Sequence, residues 1–162
     1  MSTVARGKDV TTALTARKAT QVDLPAILGL LVDDRLGKTR EAVDSTLHKD
    51  YLSAFQQIEH DNNQLLVVFE IENSIIGCLQ ISFIPGLSRQ GMLRGQIEGV
   101  RVSRNHRGAG YGQQMLQWAI DTCRSRGCGL VQLTSDKTRL DALRFYDALG
   151  FERSHEGLKL HL

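Results

Sequence analysis

Val43, Leu47, Tyr51, Phe55 and Ile58 follow one another at steps of three and four, which places all five on one stripe of a helix. The stripe runs out into His60-Asp-Asn-Asn63, a cluster of short polar side chains that favours a turn. Ahead of it, Leu14-Thr-Ala-Arg-Lys-Ala19 alternates weakly and reads as a first strand. Asp23 and Pro25 then suit a helix start, an N-cap followed by proline in the first turn, with Ile27, Leu28, Leu30 and Leu31 as its apolar side.

At Leu65 the period changes. Leu-Leu-Val-Val-Phe-Glu-Ile is too short and too β-branched for a helix and predicts a buried strand. Glu72-Asn73-Ser74 makes a tight turn, Ile75 to Ile84 is the antiparallel partner, and Pro85 to Gly91 is a longer loop before a third strand that begins at Met92 and runs through Ile97. These three strands form a meander. A helix opens near Gly110, with Met115, Leu116, Ala119, Ile120 and Cys123 on one face, and Gly127 stops it. Leu130 to Thr134 follows as a short strand, and a right-handed crossover sets it parallel to the Ile97 strand. Thr138 with Asp141 suggests a capping box for one more helix, closed by Gly150, and Phe151–His155 and Leu158–Leu162 read as two closing strands around Glu156-Gly157.

Composition narrows the class. A chain of 162 residues with 41% hydrophobic and 23% charged residues is ordinary for one globular domain, read here as 14–162 behind a polar tail at 1–13. The net charge of +2, with basic residues spread along the chain, argues against nucleic acid as a partner. Cys78, Cys123 and Cys128 are odd in number and lack metal-ligand spacing, so no metal and no disulfide framework are expected. Neither a signal-peptide core nor an apolar run of membrane-spanning length is visible, which predicts a cytoplasmic protein without a membrane partner.

The chemistry concentrates in Ile97 to Gly112, where a strand, a basic loop, three glycines at alternate positions and a helix start follow without a gap. Backbone N–H groups at Gly108, Gly110 and Gly112 suit an anion, and the helix dipole behind them favours negative charge. The spacing is neither that of the phosphate loop ending in Gly-Lys-Ser/Thr nor Gly-x-Gly-x-x-Gly. Arg107-x-x-Gly110-x-Gly112 at a strand-to-helix turn, together with Ala142-Leu-Arg-Phe-Tyr146-Asp-Ala-Leu-Gly150-Phe151, resembles the two signatures of the GNAT N-acetyltransferase family, and the order of elements from residue 14 to 162 is similar to that whole fold. The resemblance implies an α/β (α+β) fold with a mixed, mostly antiparallel sheet of six to seven strands, splayed at its centre and flanked by about four helices.

It also implies acetyl-coenzyme A as cosubstrate. The backbone from Arg107 through Gly108, Ala109, Gly110 and Tyr111 to Gly112 is expected to hold the pyrophosphate. Val100, Arg101 and Val102 are expected to receive the pantetheine arm on an open strand edge, with Gly99 suited to a bulge that re-aims the strand. Arg104, His106, Arg107, Lys137 and Arg139 are candidates for neutralising phosphate, although solvated surface charge is the better reading for each of them except Arg107, which begins the motif. Arg139 stands where many members carry asparagine, and the run Lys137 to Tyr146 resembles the aminoalkylphosphonate acetyltransferase branch.

Two residues are read as catalytic. An amine of lysine type costs about 4.6 kcal/mol to make neutral at pH 7, which a base offsets. Glu98, inside a strand between Ile97 and Gly99, matches the glutamate that many members use through water, with a half-exposed position or an ion pair to an arginine such as Arg94 as its alternatives. Tyr146 matches the tyrosine that protonates the departing thiolate, with aromatic packing as its alternative. The expected activity is direct acetyl transfer to the primary amine of a small molecule. A protein or peptide acceptor and a non-catalytic acyl-coenzyme A sensor are the rivals. Members often form homodimers through their last strands, and Leu158, Leu160 and Leu162 suit that role or a core. His48, His60, His155 and His161 form no defensible catalytic site.

Overall fold

A computed structural model describes residues 13–33 and 49–162. The polar tail up to residue 12, the first two members of the helical stripe, Val43 and Leu47, and His48 lie outside the described residues. The remaining apolar pattern builds a five-stranded sheet in the order β1 (Thr15–Lys18), β2 (Gln64–Ile71), β3 (Ser74–Ile84), β4 (Arg94–Val102) and β5 (Leu130–Leu133). The first four strands are antiparallel neighbours, and β5 runs parallel to β4 with Ile97 opposite Leu133, as the crossover rule requires.

Period-two alternation sends β2 and β3 side chains to two covered faces. Val67, Leu79, Ile81, Phe83 and Ile97 meet Met115, Leu116, Ala119 and Cys123 of helix Tyr111–Ser125, so one face of the predicted helical stripe is the main core. Trp118 adds an edge-on contact with Phe69, ring centroids 5.5 Å apart. On the opposite face Val68 and Cys78 pack against Leu24, Ile27 and Leu30 of α1 (Leu24–Val32) and Phe55 of α2 (Lys49–His60). Met115 and Leu116 are wholly buried, each removal from water contributing about 1.5–3 kcal/mol.

Close approach of α4 (Tyr111–Ser125) to the sheet depends on glycine. A Cβ on Gly95 lies 2.4 Å from Cys123 Sγ, and one on Gly77 lies 2.7 Å from Met115 Sδ. The loop after β3 contains one short turn, α3 (Ser88–Gly91), in which Arg89 and Gln90 take left-handed backbone angles.

Three expectations change. Among the described residues the sheet has five strands, not six to seven, because residues 151–162 form no strand; Arg153 there donates to Asp147 of α5 (Leu140–Ala148). Leu158, Leu160 and Leu162 alternate as a strand does but are 92%, 87% and 117% exposed. The Thr138–Asp141 capping box does not form, since the Thr138 N–H and hydroxyl both donate to Asp136 Oδ1 and Arg139 occupies the N-cap. Asp23 occupies the N-cap of α1 without capping it: its carboxylate turns back to accept from Arg17 and from the Thr20 N–H.

Candidate active site

The bulge expected at Gly99 is present. Cys78 faces Arg101 and Gln80 faces Glu98, so two residues of β4, Gly99 and Val100, stand opposite the single Leu79, and Gly99 takes φ +61°. Pairing between β4 and β5 ends at Ile97 and Leu133. Beyond that point β4 continues for five residues with no β5 partner, which leaves an open edge. Strand alternation turns the main-chain groups of Arg101 toward β3 and those of Val100 and Val102 toward the opening. Two guanidinium groups meet that opening: Arg101 donates to the Val100 carbonyl at 2.9 Å and Arg107 Nε donates to the Val102 carbonyl at 2.9 Å.

The glycine loop leads from this edge into α4. Gly108 and Gly110 adopt φ +78° and +83°, a region that side chains other than glycine enter at a cost, and Gly110 is the N-cap with no side-chain capping bond. The first N–H groups of α4, at Tyr111, Gly112 and Gln113, lack a carbonyl four residues back within the helix and point out of its N-terminus. Gly112 belongs to the helix itself, where its added Cβ would meet Phe145 at an ordinary 3.5 Å. The loop therefore has the chemistry of an anion cradle, made of backbone donors from Gly108 onward.

Side chains from the same loop face elsewhere. Arg104 and Arg107 both turn to Asp33, at the C-terminal end of α1. Arg104 pairs with Oδ1 at 2.7 Å, and Arg107 donates to Oδ2 at 3.2 Å and to the Asp33 main-chain oxygen at 2.9 Å. His106 has a buried Nδ1 with no hydrogen-bond partner among the described residues and sets its ring edge-on to Tyr111 at 6.1 Å. Lys137 and Arg139 are exposed in the turn before α5. Asp33 carries no motif and is recognisable only once the loop and the end of α1 are brought together.

Tyr146 lies between Phe145, at 5.4 Å, and Phe151, at 6.0 Å, in a half-buried aromatic group packed on the main core. Burial pushes its phenol pKa up, while the nearby Arg139 and Arg101 guanidinium groups pull it the other way. Arg101 thus joins the open β4 edge to Tyr146. Glu98 is exposed on the first β4 residue past the split, opposite Gln80. A separate cavity of about 340 Å³ lies at the other end of the sheet, beside Arg126, Asn62 and Lys18, and no predicted site residue lines it. The cysteines sit in the core: burial raises the Cys78 and Cys123 thiols to about 12, so neither is poised as a thiolate. Among the described residues no helix is long and apolar enough to cross a membrane.

Split strands, a bulge, a glycine cradle and a tyrosine at the split coincide with a family match. The model of the Acetyltransferase (GNAT) family matches residues 30–151, and the chain belongs to that family of acyltransferase enzymes. Among curated proteins it is 38% identical over 82 residues to a glucosamine 6-phosphate N-acetyltransferase of Trypanosoma brucei brucei, covering 51% of this chain and 53% of the relative. It is 38% identical over 61 residues to an aminoalkylphosphonate N-acetyltransferase of Salmonella typhimurium, covering 38% of this chain and 40% of the relative. The chain thus spans about half or less of the curated relatives it matches. A solved structure from Bacillus halodurans, described as a transcriptional regulator, is 47% identical with a TM-score of 0.89, over 93% of this chain and 100% of that one.

Proposed function

We propose that the protein transfers acetyl from acetyl-coenzyme A directly to the primary amine of a small molecule, with no covalent enzyme intermediate. The observation that carries this reading is the juxtaposition of the open Val100–Val102 edge, the Gly108–Gly112 cradle and Tyr146 at one end of the β4/β5 split. Acetyl-coenzyme A supplies the acyl group as a thioester. The pyrophosphate belongs on the N–H groups at the start of α4, and the pantetheine amides belong against Val100 and Val102. Arg107 then acts by fixing the loop to Asp33 and Val102, and Lys137 and Arg139 are the exposed cations on the α5 side.

Tyr146 keeps its proton at neutral pH as any phenol does, and burial shifts its pKa further up, so the proton is available to the departing thiolate. Glu98 faces solvent, which suits a base that removes the amine proton through water. A Val100 or Val102 N–H on the open edge is the donor placed for the oxyanion. The two curated relatives are named for small amines bearing phosphate or phosphonate, which supports a small-molecule acceptor over a peptide. A cytoplasmic setting and a homodimer formed through the exposed leucines of the last segment complete the proposal.

The test is thiol release from acetyl-coenzyme A across a panel of amino sugars, aminoalkylphosphonates, polyamines and lysine peptides. Release with small amines and not with peptides is expected. No release with any amine sinks the enzyme reading and leaves an acyl-coenzyme A sensor.

A further inference from the structure

Four glutamines and a serine cross the sheet beside Glu98, on the face shared with α1 and α2. Gln80 Nε2 and Ser82 Oγ both donate to Gln64 Oε1, each at 2.8 Å, and Gln132 Nε2 donates to Gln96 Oε1 at 2.8 Å. Register ties the two groups together, because Ser82 stands opposite Gln96 and Gln80 stands opposite Glu98. The row spans β2 to β5, every member is half-buried, and it ends at the β4/β5 split.

These bonds leave a defined remainder. Among the described residues, the Gln64 and Gln96 amides keep their N–H groups, and the Gln80 and Gln132 amides keep their carbonyl oxygens. Donors and acceptors alternate across the floor, and none is charged. An apolar acceptor laid on it would strand those groups away from water, at a cost for each. The row itself reads neutral hydrogen-bonding groups of the acceptor and makes no demand on charges the acceptor carries beyond it. A hydroxyl, which both donates and accepts, matches it at each position.

We infer that the glutamine row selects a hydroxyl-rich amine of the amino-sugar class and orients its nitrogen toward Glu98. The inference rests on the proposed acetyl transfer and names its acceptor. Gln80 and Gln96 flank Glu98 across the strand and along it, so they are the specificity-determining pair.

The experiment compares kcat/KM for D-glucosamine and cyclohexylamine, in the wild type and in Gln80→Met and Gln96→Met, both close in size to the original. Each substitution should lower the glucosamine-to-cyclohexylamine ratio about tenfold, since a site built to bond hydroxyls loses discrimination when a partner is removed. Acetyl-coenzyme A affinity, measured by calorimetry on the same variants, should stay within about twofold of wild type and so report an intact fold. An unchanged ratio, or a wild type that acetylates cyclohexylamine and not glucosamine, overturns the inference and leaves acetyl transfer standing. No thiol release with any amine overturns both.

Discussion

Arg107 reaches Asp33, 74 residues earlier in the chain, with one guanidinium nitrogen that contacts both the main-chain oxygen at 2.9 Å and the carboxylate at 3.2 Å. The arginine that begins the glycine motif is therefore a strut between α1 and the loop, and its Nε braces the end of β4 through the Val102 carbonyl. Asp33→Ala removes the carboxylate that Arg104 and Arg107 share, while Arg107 keeps its bonds to the main-chain oxygen of residue 33 and to the Val102 carbonyl. Both pairs are largely solvated, so the stability loss should stay below about 1 kcal/mol. The loop would be held less tightly to α1, and KM for acetyl-coenzyme A should rise severalfold with kcat changed far less. Equal changes in both constants would argue that the strut does not position the loop for binding.

Tyr146→Phe keeps the ring between Phe145 and Phe151 and deletes only the hydroxyl. As the proposed acid, the hydroxyl should be worth about a hundredfold in kcat, with acetyl-coenzyme A affinity almost unaltered. Its raised pKa sets the sign of the pH effect. The acid works while protonated, so any loss of rate due to Tyr146 should begin only above about pH 10, the ordinary value for a phenol. A wild-type rate that falls on this group near pH 8 would count against the assignment.

Gly95→Ala tests how tightly α4 is laid on the sheet. The new Cβ would stand 2.4 Å from Cys123 Sγ, in a region where Cys123 is wholly buried. Overpacking of that kind costs about 1–3 kcal/mol. Adding Cys123→Ala removes the clashing sulfur, so the double variant should recover part of the loss, and urea denaturation of the four proteins of the cycle measures the coupling. Simple additivity of the two losses would show that the helix shifts to accommodate the methyl group.

Asp23 gives a stability that depends on acid. It is buried and accepts from Arg17 at 2.7 and 2.9 Å and from the Thr20 N–H and hydroxyl at 2.7 and 2.9 Å, and the Arg17 bond foremost holds its pKa below the usual carboxylate range. A depressed folded pKa contributes stability that is complete above about pH 4 and disappears as pH falls through the folded value. Asp23→Asn should cost about 1–3 kcal/mol at pH 7, and the gap from wild type should close as the pH is lowered toward 2. A gap in Tm that is constant between pH 7 and pH 2 would contradict this linkage.

Local pattern carried much of the fold. The stripe Tyr51, Phe55 and Ile58 and the stripe from Met115 to Cys123 are helical because residues three and four apart share a face, and β2 and β3 follow from β-branched runs broken at Glu72-Asn73. Gly99, Gly108 and Gly110 were legible for a related reason, since a positive φ has a strong residue preference and leaves its mark in the sequence. Leu158, Leu160 and Leu162 show the limit of such patterns: alternation supplies a face, and a strand also needs an edge to pair with.

What the sequence determined by itself was the strand-loop-helix of the anion cradle, the antiparallel meander and the family signatures, all of which depend on spacings of a few residues. Tertiary structure alone decided that Arg104 and Arg107 turn to Asp33 instead of outward, and that four glutamines from four strands meet in one row beside Glu98. Those relations join positions up to 74 residues apart. Their energies come from register and packing, which no local spacing encodes.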